Sequence, residues 1–289
     1  MPQSKSEIQS LLAAAGAEPR HRFGQNFMID QNLVRLVADA GGIGPGDLVI
    51  EVGPGTGTLT DELLARAAAV APPADVLAVE IDRDLAALTR QRLEGNPRFA
   101  LIEGDALANK HTLNPDLAAA IAAARGAGRT ARLVANLPYN IASPLVIELL
   151  IAGVESLAFV VQKEVGDRLK GKPGTDDYGP LTVVAQLLAD VEVLRKLPPA
   201  AFWPAPKIDS ALVRMTRRDR LAGRAPDFSR FVHSVFASRR KTLRKALVQA
   251  DYDADALVNA LALDPQRRAE ELPPETFLAM FERVTPAPE

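Results

Sequence analysis

Four consecutive residues, Asn136-Leu137-Pro138-Tyr139, close an apolar run, Ala131-Arg132-Leu133-Val134-Ala135, that reads as a buried strand. Their types suit methylation of an exocyclic amine on a flat heterocycle. The amine of adenine is a weak nucleophile, because its lone pair is delocalised into the ring. Acceptors on its two N–H bonds push electron density back onto nitrogen and let it pyramidalise toward an electrophile. The Asn136 side-chain oxygen can be one acceptor, and the Leu137 or Pro138 carbonyl the other. A proline stiffens the backbone that carries them. Tyr139 can stack on the base. The same residues also make an ordinary strand-to-loop turn, with Pro and Asn as turn formers. The chemistry therefore needs a second motif upstream.

That motif is Glu51-Val52-Gly53-Pro54-Gly55-Thr56-Gly57, at a strand-to-helix junction. Glycines there let the backbone pass close to a ligand. A dinucleotide loop would read G-x-G-x-x-G; this one reads G-x-G-x-G after an acid. The spacing suits a ligand with an amino-acid end. Backbone N–H groups at the helix start can take its carboxylate, and nearby carbonyls its ammonium. Glu80 closes the next strand and can take both hydroxyls of a ribose. Asp82 caps the helix that follows. Asp105, after the third strand, can accept from the adenine amine of a cofactor, or cap a turn.

These positions need a scaffold that brings strand ends together. Leu48–Val52, Val76–Glu80, Phe99–Ile102, Leu133–Ala135 and Leu157–Val161 read as strands. Asn32–Ala40, Leu59–Ala69, Arg83–Leu93, Asp116–Arg125 and Pro144–Ala152 read as helices between them. Short apolar runs alternating with helices imply a parallel sheet covered on both faces. All four sites then fall at carboxyl ends of strands, where open α/β sheets bind ligands. Val191–Leu194 and Ala211–Met215 read as antiparallel strands. The proline-rich link from Leu197 to Lys207 reads as irregular. The second half of Leu117–Arg129 reads as a variable, partly mobile insertion. After Arg217 only short amphipathic helices remain: Phe228–Ala237, Leu243–Gln249, Ala256–Leu261 and Pro274–Arg283. The expected division is residues 1–217 as the catalytic domain and 218–289 as a small all-α domain.

The chain has 289 residues, enough for one medium and one small domain, and its 47% hydrophobic content supports a substantial core. No 18-residue apolar stretch reads as a membrane span, and the first residues lack the order of a signal peptide. The absence of Cys excludes disulfides, thiolate metal sites and cysteine nucleophiles, and suits a reducing cytoplasm. His21, His111 and His233 have no metal-ligand spacing, so no metal is expected. The net charge of −2 argues against nucleic acid, but its distribution does not. Arg195–Lys245 holds fourteen Lys and Arg against three Asp and Glu, a local charge of +11. Such a block suits a phosphate backbone, or forms a solvated cationic face.

Together these motifs resemble the class I S-adenosylmethionine-dependent methyltransferases. Asn136-Leu137-Pro138-Tyr139-Asn140-Ile141-Ala142-Ser143-Pro144-Leu145 is similar to the rRNA adenine N6-dimethyltransferase family. So are Gly24-Gln25-Asn26-Phe27-Met28, Gln162-Lys163-Glu164-Val165, Tyr178-Gly179-Pro180-Leu181, the segment Phe202–Ser210 and Arg239-Arg240-Lys241-Thr242-Leu243-Arg244. The resemblance spans roughly residues 20 to 285, and within the family it is nearest the bacterial small-subunit enzymes.

The resemblance implies a Rossmann-like, mostly parallel seven-stranded sheet. It implies S-adenosyl-L-methionine as cofactor, held by Asn26, Met28, Gly53, Gly55, Glu80, Asp105 and Asn136. Asn136, Leu137, Pro138 and Tyr139 would do the chemistry. Arg239, Arg240, Lys241 and Arg244 would bind RNA at the start of a helix, with Gln25 on the backbone. Phe202 is expected as a second aromatic wall and Phe23 as a closure of the entrance. The implied reaction is dimethylation of two adjacent adenines in a hairpin near the 3′ end of 16S rRNA. The substrate would be the immature small (30S) subunit in the cytoplasm, met by a monomer. A large-subunit rRNA or DNA adenine methyltransferase, and a non-catalytic assembly factor, remain as alternatives.

Overall fold

The computed structural model describes residues 3–20 and 24–285; Phe23 lies outside the described residues. The chain opens with α1 (Lys5–Ala14), where Ser4 and Glu7 cap each other reciprocally. β1 (Phe27–Met28) follows, then α2 (Gln31–Ala40), whose first N–H groups are taken by the Asp30 carboxylate. Strands and helices then alternate: β2 (Leu48–Val52), α3 (Thr58–Ala69), β3 (Asp75–Glu80), α4 (Arg83–Leu93) and β4 (Phe99–Glu103). A hairpin of β5 (Leu107–Asn109) and β6 (Thr112–Leu113) leads into α5 (Pro115–Gly126). After it come β7 (Ala131–Asn136), α6 (Ala142–Ile151), β8 (Ser156–Gln162), α7 (Lys163–Leu169) and α8 (Pro180–Leu188). β9 (Ala189–Leu197), β10 (Phe202–Trp203) and β11 (Ser210–Arg217) complete the strands. Four helices finish the chain: α9 (Ala225–Phe236), α10 (Leu243–Gln249), α11 (Ala254–Ala260) and α12 (Pro274–Val284).

Seven strands form one sheet in the order β4-β3-β2-β7-β8-β11-β9. β4, β3, β2, β7 and β8 pair in parallel, and β11 runs antiparallel to β8. All five residues of β2 are buried, as a central strand covered on both faces requires. Val34, Val37 and Ala38 of α2 and Leu63 and Ala67 of α3 bury against Val49, Val76 and Val134. From β2 the sheet grows one way through β3 and β4, and the other way through β7 and β8. This reversal places a topological switch point at the carboxyl ends of β2 and β7, the position where open α/β sheets open a crevice.

Two expectations change, and one helix is not foreseen by the sequence pattern. The link from Leu197 to Lys207 is not irregular throughout: a 3₁₀ turn at Pro199–Ala201 leads into β10, which pairs antiparallel with β1. Prolines bound this pair of residues, but Phe202 and Trp203 keep the N–H groups that pairing needs. The second half of Leu117–Arg129 continues α5 as far as Gly126, with Ala124 buried. Arg129 is bound to the Gly46 and Asp47 carbonyls and to Asp75. The helix α8 carries no polar face to mark it; Val183, Val184, Ala185, Leu187 and Leu188 are all buried.

The chain divides into two compact units. One comprises the residues up to Gly166 together with Glu192–Arg217 and contains the sheet of parallel strands. The other joins Asp167–Val191 to the residues from Arg218 onward. A single cut at Arg217 therefore does not describe the division, because α8 packs on α9 and α12. The second unit has an aromatic core, with Phe228 edge-on to Phe281 at 5.4 Å and Phe236 stacked on Phe277 at 5.3 Å. The Tyr178 hydroxyl donates to the Leu272 carbonyl at 2.6 Å and ties the earlier segment to that core. No helix among the described residues is long and apolar enough to cross a membrane.

Candidate active site

The glycine loop after β2 has a backbone that only glycine accepts readily. Gly53, Gly55 and Gly57 have φ of +75°, +60° and +85°, in the left-handed region. A Cβ at Gly55 would also come within 2.9 Å of the Phe27 ring. The loop is held from several sides. Gly53 N–H donates to the Val79 carbonyl at 2.9 Å, and the Thr89 hydroxyl donates to the Gly55 carbonyl at 2.9 Å. Gly55 N–H donates to Glu80 Oε2 at 3.1 Å, while Asp82 N–H donates to Glu80 Oε1 at 2.9 Å. Glu80 is thus aimed by two backbone bonds and keeps lone pairs for a further donor. Burial raises its pKa, against the lowering effect of those bonds. Asp82 caps α4 as expected, accepting from Asp84 N–H.

Glu51, on β2, is completely enclosed beside this loop, and burial pushes its carboxyl up to about 8. The Thr60 hydroxyl donates to it at 2.6 Å. It is therefore mostly uncharged at neutral pH.

Across the switch point, β7 ends in Asn136. Its Nδ2 donates to the Asn26 carbonyl at 2.7 Å, while its Oδ1 is buried without a partner among the described residues. An unsatisfied buried acceptor costs about 1–3 kcal/mol, so it marks a place built for a donor that arrives from outside. Leu137 is a core residue by its side chain, 1% exposed, so only its backbone can serve a reaction. The Pro138 carbonyl closes a turn by accepting from Ile141 N–H at 3.2 Å. Tyr139 is half-buried, and its hydroxyl lies 2.7 Å from the Ser210 hydroxyl. The pyrrolidine of Pro138 approaches Gly53, where a Cβ would sit 3.5 Å from its ring.

A cleft open to solvent lies between these loops. Asn26, Met28, Gly53, Gly55, Glu80, Asp105 and Asn136 all line it, as does Pro138. Asp105 spends one carboxylate oxygen on Leu107 N–H at 3.0 Å. Four residues to which the motifs assign no role also line the cleft: Phe27, Asn140 and Ile141 from within them, and Ile81. Ile81, directly after the strand-end Glu80, is an apolar residue left 39% exposed by the fold. Such an assembly, with an acid for vicinal hydroxyls, an apolar wall and glycine amides, suits a nucleoside carrying an amino-acid tail.

Two aromatic and polar expectations are corrected. Phe202 does not wall the cleft; it is 2% exposed and packed in the core with Met28 and Leu212. Pairing with β1 turns it inward, and Trp203 instead stacks on Phe27 at 6.3 Å. Gln25 is not free for a backbone contact, because its Nε2 donates to Asp82 at 3.0 Å and its Oε1 accepts from Arg20 N–H at 2.8 Å.

The expected cation cluster lies in the second unit, in the exposed turn before α10 and on its first turn rather than on a helix start alone. Its members differ sharply. Arg239 is ion-paired with Glu270, and Arg244 makes a two-pronged bond to Asp255 at 2.7 and 2.8 Å. Arg240, Lys241 and the neighbouring Lys245 have no ion-pair partner among the described residues. Sequence counting could not separate these groups, since the neutralising carboxylates lie ten or more residues away.

Comparison with known proteins agrees with this geometry. The family model described as "Ribosomal RNA adenine dimethylase" matches residues 16–285. A Moorella thermoacetica protein named "Ribosomal RNA small subunit methyltransferase A" is 39% identical, over 94% of each chain. A Magnetococcus marinus protein of the same name is 40% identical, over 97% of this chain and 96% of its own. Among solved structures, a dimethyladenosine transferase from Plasmodium falciparum superposes with a TM-score of 0.70 at 23% identity, covering 88% of this chain and 95% of that one. The 23S rRNA methyltransferase ErmE superposes at 0.61 with 27% identity, covering 90% and 99%.

Proposed function

The chain belongs to the ribosomal RNA adenine dimethylase family as an S-adenosylmethionine-dependent rRNA adenine methyltransferase, and we propose that its substrate is the RNA of the immature small ribosomal subunit. The reading is that it dimethylates the N6 amines of two adjacent adenines in a hairpin near the 3′ end of 16S rRNA. It does so as a cytoplasmic monomer that needs no metal. The small-subunit assignment is supported by relatives of that name at 35–40% identity over most of the chain. The likeness to ErmE, a 23S enzyme, is lower, at 27%.

The observation that carries the mechanism is the buried Asn136 Oδ1, unpartnered among the described residues, beside the glycine-loop cleft. The cofactor fits that cleft on the chemistry of its lining. Glu80 would take the ribose hydroxyls, Asp105 and Ile81 would meet the adenine, and Gly53 with Gly55 would bring backbone to the amino-acid tail. When bound, S-adenosylmethionine supplies an electrophilic methyl group on sulfonium. Asn136 Oδ1 accepts one N6–H of the target adenine. The Leu137 carbonyl accepts the other, since the Pro138 carbonyl is already engaged with Ile141 N–H. Tyr139 stacks on the base, which leaves its helix to reach the site. The nitrogen loses its proton to solvent, and no side chain is assigned as base. Alignment of this kind is worth roughly 7–11 kcal/mol.

Arg240, Lys241 and Lys245 bind phosphates of the RNA backbone, and Arg239 and Arg244 contribute when their carboxylates release them. The deciding experiment is methyl transfer to protein-free 16S rRNA, assembled small subunits and 23S rRNA side by side, with nucleoside mass analysis. Dimethyladenosine formed only in the small-subunit arms supports the proposal. Modification of 23S rRNA alone would overturn it.

A further inference from the structure

Gln3 lies outside the segment that the family model matches, residues 16–285, yet it reaches the glycine loop. It is 6% exposed, an unusual setting for a glutamine. Its Nε2 donates to the Thr56 carbonyl at 3.0 Å, and its Oε1 accepts from the Thr56 hydroxyl at 2.7 Å. Its backbone N–H donates to the Thr58 hydroxyl at 2.8 Å. Thr56 and Thr58 both line the cleft. The helix that follows, α1, buries Ile8 and Leu12 against Phe27 and Leu85, which line it too.

The loop needs such a hold. Three left-handed glycines in five residues leave many conformations open to the unliganded chain. A ligand that fits only one of them binds with an affinity reduced by the fraction of time that one is populated. From α4, Arg92 also donates to the Thr56 carbonyl. Gln3 adds the bond to the Thr56 hydroxyl and, through its backbone, the bond to Thr58. It therefore holds Thr56 and Thr58, residues of the loop that the bond from Gly55 to Glu80 does not reach.

We propose that Gln3 is a positioning residue for the cofactor: it clamps the Gly55–Thr58 turn in the conformation that binds S-adenosylmethionine. The proposal rests on the cleft being the cofactor site. Loss of its two side-chain bonds should show as roughly a 3–10-fold weaker Kd, taking ~1 kcal/mol per net hydrogen bond and partial compensation by Arg92.

The test is calorimetric titration of the full chain with S-adenosylmethionine, together with amide hydrogen exchange of the ligand-free protein. Variants are Gln3→Ala, Gln3→Met, which keeps the buried volume, and Glu80→Ala as a control on the site. Expected for both Gln3 variants are a weaker Kd and faster exchange at Thr56 and Thr58, with exchange in the central strands unchanged and RNA affinity retained. An unchanged Kd in either folded Gln3 variant, or exchange that speeds up uniformly, would overturn the clamp. If Glu80→Ala also leaves the Kd unchanged, the cleft assignment itself has failed. If Glu80→Ala weakens binding and the Gln3 variants do not, only the clamp has.

Discussion

Asn136 Nδ2 donates to the Asn26 carbonyl at 2.7 Å, and this one bond decides which way the amide faces. With its nitrogen committed to a backbone oxygen, Oδ1 is left as a buried acceptor, unpaired among the described residues. Asn26 comes from the segment before β1 and Asn136 from the end of β7. The acceptor is therefore set by two parts of the chain that are 110 residues apart.

Asn136→Ala removes that acceptor and should lower single-turnover methyl transfer by roughly 10²–10³-fold, the range seen when one positioned transition-state hydrogen bond is deleted. S-adenosylmethionine Kd should change far less. A near wild-type rate with 16S rRNA would show the mechanism to be wrong.

Tyr139 separates into a ring and a hydroxyl. Tyr139→Phe loses only the bond to Ser210 and should keep stacking, so RNA methylation should fall by less than about tenfold. Tyr139→Ala should cost a further ~1–3 kcal/mol in handling the target base. Equal effects of the two substitutions on kcat/KM for RNA would remove stacking from the account.

Removing Arg240, Lys241 and Lys245 together should flatten the dependence of log affinity on log salt by about one unit per lost phosphate contact. Arg239→Ala and Arg244→Ala should change the slope less, because each is held by a carboxylate. Asp255→Asn, which frees Arg244, should steepen it. A slope unaffected by the triple variant would take RNA binding away from this turn.

Glu51 makes stability depend on pH. Its ordinary value is near 4.5, and burial raises it to about 8 in the folded chain. The folded state therefore holds this proton more tightly, and Glu51's contribution to stability is full below about pH 4.5 and is lost as pH rises through 8. Glu51→Gln mimics the protonated acid. Its Tm should fall less than that of the wild type between pH 6 and pH 9. Parallel Tm curves would show that Glu51 ionises normally.

Gly55→Ala combines a left-handed φ of +60° with a Cβ placed 2.9 Å from the Phe27 ring. The backbone term alone costs roughly 1–2 kcal/mol. The variant should lose S-adenosylmethionine affinity at least tenfold, read by titration calorimetry, while the rest of the sheet stays folded.

The sites legible in the sequence were those carried by local pattern. Fully apolar runs such as Leu48–Val52 announce buried parallel strands, and acids and glycines directly after them announce ligand loops. Glu80, Asp105, Gly53 and Gly55 are of this kind, Asn136 closes a further strand, and all line one cleft. What was misread depended on partners far along the chain. Phe202 turns inward because Met28 pairs with it, and Gln25 is occupied because Arg20 and Asp82 hold it. The helix α8 has no polar face to betray it, since its neighbours α9 and α12 cover it.

By itself, the order of residues determined the chemistry on offer: an amide, a carbonyl pair and an aromatic ring at one strand end, with a glycine loop and an acid at two others. Those are properties of residue type and short spacing, which a periodic pattern exposes. Only the tertiary structure decided which atoms remain available. It spent Asn136 Nδ2 on Asn26, the Pro138 carbonyl on Ile141 and Arg244 on Asp255, and left Asn136 Oδ1, Arg240, Lys241 and Lys245 without a partner among the described residues. The reason is physical. Each donor and acceptor bonds with whatever folding brings within about 3 Å, and that neighbour is most often distant in the chain.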